Sequence, residues 1–171
     1  GFLKLKETDT ALDIGCGGGA NIAYMLKQCT KGIVKGIDYS EVSVEKSRKV
    51  NADAIKEGKC EVICGSVMEL PFSEEQFDAV TAFETVYFWP GLKEAFAQVY
   101  KVLKVGGTFL ICNESCGKNQ ADEKWTKMIE GMVIYTAEQI KEYLEKAGFT
   151  DIKLHENGKG WLCVTAMKAE G

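Results

Sequence analysis

Four glycines fall within five residues, directly after an apolar run: Leu12-Asp13-Ile14-Gly15-Cys16-Gly17-Gly18-Gly19-Ala20. Residues 10–14 read as a short buried strand. Residues 21–28 then place Ile22, Tyr24, Met25 and Leu26 at helical spacing. Where a strand turns through glycines into a helix, the backbone can bend sharply and approach a ligand closely, and the helix start offers it free N–H groups. Asp38 closes the next apolar run, 19 residues after Gly19. A carboxylate at that point can accept both hydroxyls of a ribose. Glycine loop and acid together define an adenosine site, and Gly15-x-Gly17-x-x-Ala20 also satisfies the dinucleotide fingerprint.

The rest of the chain alternates strands and helices. A second strand covers 33–37, Ser40 caps a helix running to about residue 56, and a third strand covers 61–64. A fourth strand, 77–83, is rich in Val, Phe and Thr. The helix at 92–103 repeats Leu92, Ala95, Phe96, Val99, Val102 and Leu103, and Gly106-Gly107 is read as its stop, with a fifth strand at 108–113. Residues 114–135 are polar and irregular, with one helix near 123–130; 115–135 is the expected lid. Thr136 caps a last helix ending at Gly148, and strands at 150–155 and 161–167 follow, joined by a short connection. The alternation predicts one doubly wound α/β domain over residues 1–171, its sheet mostly parallel and covered on both faces. The short final connection makes one of the last two strands antiparallel.

Composition excludes several classes. Lys plus Arg is 21 against 25 Asp plus Glu, a formal charge of −4, so the basic field that nucleic acid requires is missing. No apolar run is long enough to span a bilayer. Several of the seven cysteines lie in apolar runs, such as Cys64 after Val62-Ile63 and Cys112 after Leu110-Ile111. They read as reduced thiols of a cytoplasmic protein. The equal gaps of Cys60 to Cys64 and Cys112 to Cys116 raise zinc, but two of these cysteines fall in predicted strands and His155 is the only histidine, so no metal is expected.

Asp13 separates the two adenosine cofactors. A pyrophosphate is ill served by a carboxylate two residues before the first glycine, whereas a methionine ammonium needs nearby negative charge. The chain is also too short for a separate dehydrogenase substrate domain. With Gly36-Ile37-Asp38-Tyr39-Ser40, Gly65–Phe72, Phe77-Asp78-Ala79-Val80 and Val99–Gly107 added to the glycine loop, the chain resembles the class I S-adenosylmethionine-dependent methyltransferases, in particular the ubiquinone/menaquinone-type branch. The resemblance implies a Rossmann-like seven-stranded sheet of order 3-2-1-4-5-7-6, with the last strand antiparallel. It implies S-adenosylmethionine as cofactor and a small-molecule acceptor.

It also implies roles. Gly15, Cys16 and Gly17 carry the backbone beneath methionine and ribose. Asp13 helps hold the ammonium, Asp38 the ribose, and Tyr39 packs on adenine. Val67 offers its N–H to the ring, and Ser66 stands where the family often has Asp. Phe83 or its neighbour places a carbonyl near the ammonium. The candidates for a general base are Glu84 and Tyr87, then Glu114, with Tyr87 facing the site and Phe88 turned inward. His155 reads as a surface histidine. Only a few residues precede the first strand, so covering helices are expected to be missing. Tyr39, Tyr87 and Trp89 would then be partly exposed, with a homodimer as one way to hide them. A nicotinamide-dependent oxidoreductase and a catalytically silent cofactor-binding domain are the alternatives.

Overall fold

Strand β1 (Thr10–Ile14) lies inside the sheet, and four of its five residues are buried. A strand covered on both faces has no polar side to show, so it reads as an apolar run rather than an alternation. In the computed structural model, which describes residues 3–114, 131–157 and 159–170, β1 pairs in parallel with β2 (Ile33–Asp38), and β2 with β3 (Cys60–Cys64). On its other side β1 pairs in parallel with β4 (Phe77–Phe83), and β4 with β5 (Leu103–Asn113). The last strand, β7 (Leu162–Met167), runs antiparallel to both β5 and β6 (Thr150–Glu156). The order β3-β2-β1-β4-β5-β7-β6, with one reversed strand, is the one expected. The chain moves to opposite sides after β1 and before β4, which opens a crevice at the carboxyl ends of those strands.

Helices α1 (Ala20–Leu26), α2 (Glu41–Val50) and α3 (Ala52–Lys56) cover one face. Ile22, Met25 and Val44 pack there on Ala11, Val34, Val62 and Ala79. Helices α4 (Leu92–Val102) and α5 (Ala137–Ala147) cover the other, where Phe96, Val99, Ile140 and Leu144 pack on Leu12, Val80, Phe109 and Val164. The expected caps are present. Ser40 Oγ accepts the Ser43 N–H, and Thr136 and Gln139 form a reciprocal capping box before Gly148 ends α5 at φ 104°.

Two boundaries differ from expectation. The single helix to residue 56 is broken at Asn51 (φ −109°, ψ 23°), whose side-chain N–H groups donate to the carbonyls of Ser47 and Gly19 at 3.0 and 3.1 Å. The glycine pair does not stop the fourth helix: Leu103 is already extended, and β5 runs through Gly106 and Gly107. Pairing jumps from Phe77↔Leu103 to Ala79↔Thr108, so residues 104–107 bulge from the ladder, with Gly106 at φ 84°. Residues 115–130, and with them most of the expected lid, the helix near 123–130 and Cys116, lie outside the described residues. Among the described residues no helix is long and apolar enough to cross a membrane.

Candidate active site

The glycine loop is held from beneath and from the side. Gly15 and Cys16 donate their N–H groups to the Ile37 carbonyl at 2.7 and 3.2 Å, which ties the end of β1 to the end of β2. Gly15, Gly17 and Gly19 have φ of 72°, 52° and 88°, a region where other residues are strained. A Cβ at Gly15 would overlap the Thr85 side chain, and one at Gly19 would press on Ser47 and Asn51. At Gly17 it would meet nothing within 4 Å, so that glycine faces open space.

Asp38 organises the loop as well as facing the crevice. Its Oδ2 accepts the Gly17 N–H at 3.0 Å and its Oδ1 the Ser40 N–H at 2.9 Å, so one carboxylate joins the loop to the start of α2. It lines a cavity of about 330 Å³ with Gly15, Tyr39, Ser66 and Val67, and Thr85 and Phe88 form the facing wall. Tyr39 is 77% exposed, a ring free to cover a flat ligand.

Asp13 lies below the loop, fully buried. Thr81 Oγ1 donates to its Oδ1 at 2.8 Å, while Oδ2 has no hydrogen-bond partner among the described residues. Burial pushes its pKa from 3.8 up to about 7; the Thr81 hydrogen bond offsets part of that rise, and the Asp38 charge adds to it. Asp13 lines neither of the two cavities that flank the loop. Cys16 contributes backbone only, because its side chain packs in the core with Ile22 and Val34. Phe83 does not line the first cavity. It lines a second one, of about 220 Å³, with Leu5, Tyr24, Met25, Leu110 and Cys112.

The three base candidates come together. Glu84 follows β4 with φ 55°, a strained value for a residue with a side chain, and its N–H donates to the Cys112 carbonyl at 2.9 Å. Tyr87 Oη donates to Glu84 Oε2 at 3.0 Å. Desolvation raises the Glu84 carboxyl above its ordinary range, the Tyr87 hydroxyl and the Glu114 backbone N–H lower it, and the Glu114 charge raises it.

The aromatic turn corrects the sequence reading. Tyr87 and Trp89 are buried, at 4% and 6% exposure, and Phe88, at 39%, lines the first cavity together with an edge of Trp89, whereas Tyr87 does not line it. The reason is the 3₁₀ turn Val86–Phe88, which drives Val86 and Trp89 into the core beside Phe96. Of the three aromatics expected at the surface, only Tyr39 is there. Past the undescribed stretch, Gly131 lines the first cavity and Val133 N–H donates to the Tyr87 carbonyl at 2.8 Å. His155 stands on β6, one of the sheet's two edge strands. Cys60 and Cys64 sit at opposite ends of β3, ~13 Å apart along a strand. No cluster able to hold a metal occurs among the described residues.

Asn51, Thr81 and Thr85 have no signal in the sequence. Each is an ordinary polar residue: the partners of Asn51 and Thr81, Gly19 and Asp13, come from another element, and Thr85 accepts from Trp89 across the 3₁₀ turn.

The profile of the family described as "Methyltransferase domain" matches residues 12–111, from within β1 to within β5. The chain belongs to this family. It is a methyltransferase domain of the class I, S-adenosylmethionine-dependent kind. It is 32% identical over 109 residues to 24-methylenesterol C-methyltransferase 2 of Arabidopsis thaliana, covering 64% of this chain and 30% of that enzyme. It is also 32% identical over 108 residues to squalene methyltransferase 1 of Botryococcus braunii, covering 63% of this chain and 28% of that enzyme. The chain thus spans about 30% of the length of these relatives. Among solved structures, phosphoethanolamine N-methyltransferase 2 of Haemonchus contortus, in complex with S-adenosylmethionine, superposes with a TM-score of 0.85 at 17% identity, covering 97% of this chain and 50% of that one.

Toward a donor the methyltransferase domain offers the Asp38 carboxylate on the wall of the first cavity and open space at Gly17, while the idle Asp13 oxygen lies buried beneath the loop.

Proposed function

We propose that this domain transfers the methyl group of S-adenosylmethionine to a small, largely apolar acceptor. One observation carries the reading: two cavities flank a single turn. Phe83 lines the apolar second cavity, Thr85 lines the first, and Glu84 is the residue between them in the chain. In this reading the first cavity takes the adenosine. Asp38 accepts the ribose hydroxyls, Tyr39 covers one face of adenine, Val67 offers its N–H to the ring, and Ser66 offers a hydroxyl. Asp13 and the Phe83 carbonyl hold the ammonium, and the backbone of Gly15, Cys16 and Gly17 passes beneath the methionine.

The bound donor supplies a methyl carbon already activated by the sulfonium. The domain's own work is alignment, water exclusion and proton removal. Glu84 takes a proton wherever the acceptor must lose one, and the Tyr87 hydroxyl fixes the carboxylate's orientation. Phe88 and the segment after Gly131 wall the donor side. The sterol and squalene names of the relatives support an apolar acceptor, and the ubiquinone/menaquinone-type branch read from the motifs falls in the same class. Of the three aromatics expected to draw a homodimer only Tyr39 is exposed, and here it serves adenine.

The test is donor binding by calorimetry, followed by transfer of a labelled methyl group to a panel of sterols, polyprenyl alkenes and quinols, with polar amines as control. Label in the apolar products supports the reading. Label only in the amines overturns the acceptor class, and absence of donor binding overturns the whole assignment.

A further inference from the structure

Two cysteines distant in sequence meet at the far side of β5. Cys112, on β5, and Cys163, on β7, are direct partners in the antiparallel ladder. Their Sγ atoms lie 2.8 Å apart, although the residues are 51 positions apart in the chain. Directly opposed residues of an antiparallel pair carry their side chains on the same face, where the two sulfurs can meet. The sulfurs need to approach by less than about 1 Å to bond. Both are free thiols, and among the described residues no other two thiols are in contact.

We propose that Cys112 and Cys163 form a reversible disulfide, an oxidative modification site that staples β5 to β7 beneath the Glu84 turn. The two thiols differ in access. Cys112 is buried, and Cys163 is only partly so. Burial and the neighbouring Cys163 push the Cys112 thiol up, which makes it the poorer first nucleophile. With a hydroperoxide as oxidant, the Cys163 thiolate attacks a peroxide oxygen. An S–O bond forms, the O–O bond breaks, and the departing oxygen leaves protonated as water or alcohol. Cys112 sulfur then attacks the sulfenic sulfur. The S–S bond forms, the S–O bond breaks, and hydroxide leaves as water with the Cys112 proton. The two sulfurs lose two electrons in total and the peroxide gains them.

The rung affected adjoins the site. The Cys112 carbonyl accepts the Glu84 N–H, and Cys112 lines the second cavity beside Phe83. Closing a loop of this length restricts the unfolded chain, so the oxidised form should be the more stable.

The experiment treats the reduced, desalted protein with hydrogen peroxide and maps it by mass spectrometry after a non-reducing digest. The expected result is a peptide joining Cys112 to Cys163, lighter by two hydrogen atoms and separated again by dithiothreitol. The melting temperature should rise by roughly 5–10 °C on oxidation. Cys163→Ser, at the less buried member, should lose both the joined peptide and the rise, and Cys112→Ala serves as the second check. A digest in which the two peptides stay separate, or pair with other cysteines, overturns the site. A joined peptide without a rise in melting temperature overturns the staple.

Discussion

The carboxyl ends of β1–β3 and the carboxyl ends of β4–β5 meet at one crevice but are built differently. The first region is made mostly of backbone. Three left-handed glycines, two N–H groups on one carbonyl and an aspartate bridging a loop to a helix start leave little to side-chain choice. The second is made of side chains on a strained turn. Glu84, Tyr87 and Phe88 take their positions from β5, from Glu114 and from the chain returning after Gly131. A backbone-built pocket suits a ligand common to a whole family. A side-chain-built pocket suits one that changes from member to member.

The sharpest break of this comparison is Gly15→Ala. The added Cβ meets Thr85 and must sit at φ 72°, so the fold should lose roughly 2–5 kcal/mol and donor binding should vanish. Thermal melts with and without S-adenosylhomocysteine read both effects, and a variant that melts and binds like the parent removes the argument from close approach. On the other side, Glu84→Gln should lower the turnover number about 100-fold while leaving the donor dissociation constant unchanged. If donor affinity falls in parallel, the two regions are not separable as drawn.

Asp38→Ala should weaken the donor by roughly 10- to 150-fold, since charge-assisted hydrogen bonds to the ribose are lost and the Gly17 N–H loses its acceptor. Calorimetry decides this, and equal affinity in the variant removes the ribose assignment. The last effect, a pH dependence, concerns Asp13. Its folded pKa, about 7, exceeds the ordinary 3.8, so between those values the folded chain keeps a proton that the unfolded chain releases. The ligand-free domain therefore loses stability as pH rises across that window, and the loss levels off above it. An ammonium favours the ionised form, so donor affinity should rise with pH up to about 7, by at most about tenfold per unit. Asp13→Asn should flatten both trends and raise the stability of the free domain at pH 8. Parallel pH profiles in parent and variant would show that Asp13 does not hold the ammonium.

What could be read in advance follows from how local each signal is. The glycine spacing, the buried strands and the caps at Ser40 and Thr136 are properties of a few adjacent residues, so the elements and their alternation were legible, and the strand order followed from the family resemblance. The break at Asn51 was not, because the residue's amide is drawn away from the helix pattern by Gly19, 32 positions earlier. The bulge at Gly106 was missed for the same kind of reason. Glycines after a helix look like a stop, and only the partner strand Phe77–Phe83 shows that they interrupt a ladder.

The aromatic run Tyr87-Phe88-Trp89 shows the boundary most clearly. Its composition announced a wall, but which rings line the cavity depends on a 3₁₀ turn and on the packing of Trp89 against Phe96. The sequence by itself determined the family, the alternation and the backbone half of the crevice, since these rest on φ preferences and apolar periodicity within single elements. Only the tertiary structure decided that Asp13 keeps one idle oxygen, that Glu84, Tyr87 and Glu114 converge, and that Cys112 meets Cys163. Each of those needs groups from separate elements brought within hydrogen-bond or contact distance, and no spacing along the chain encodes that.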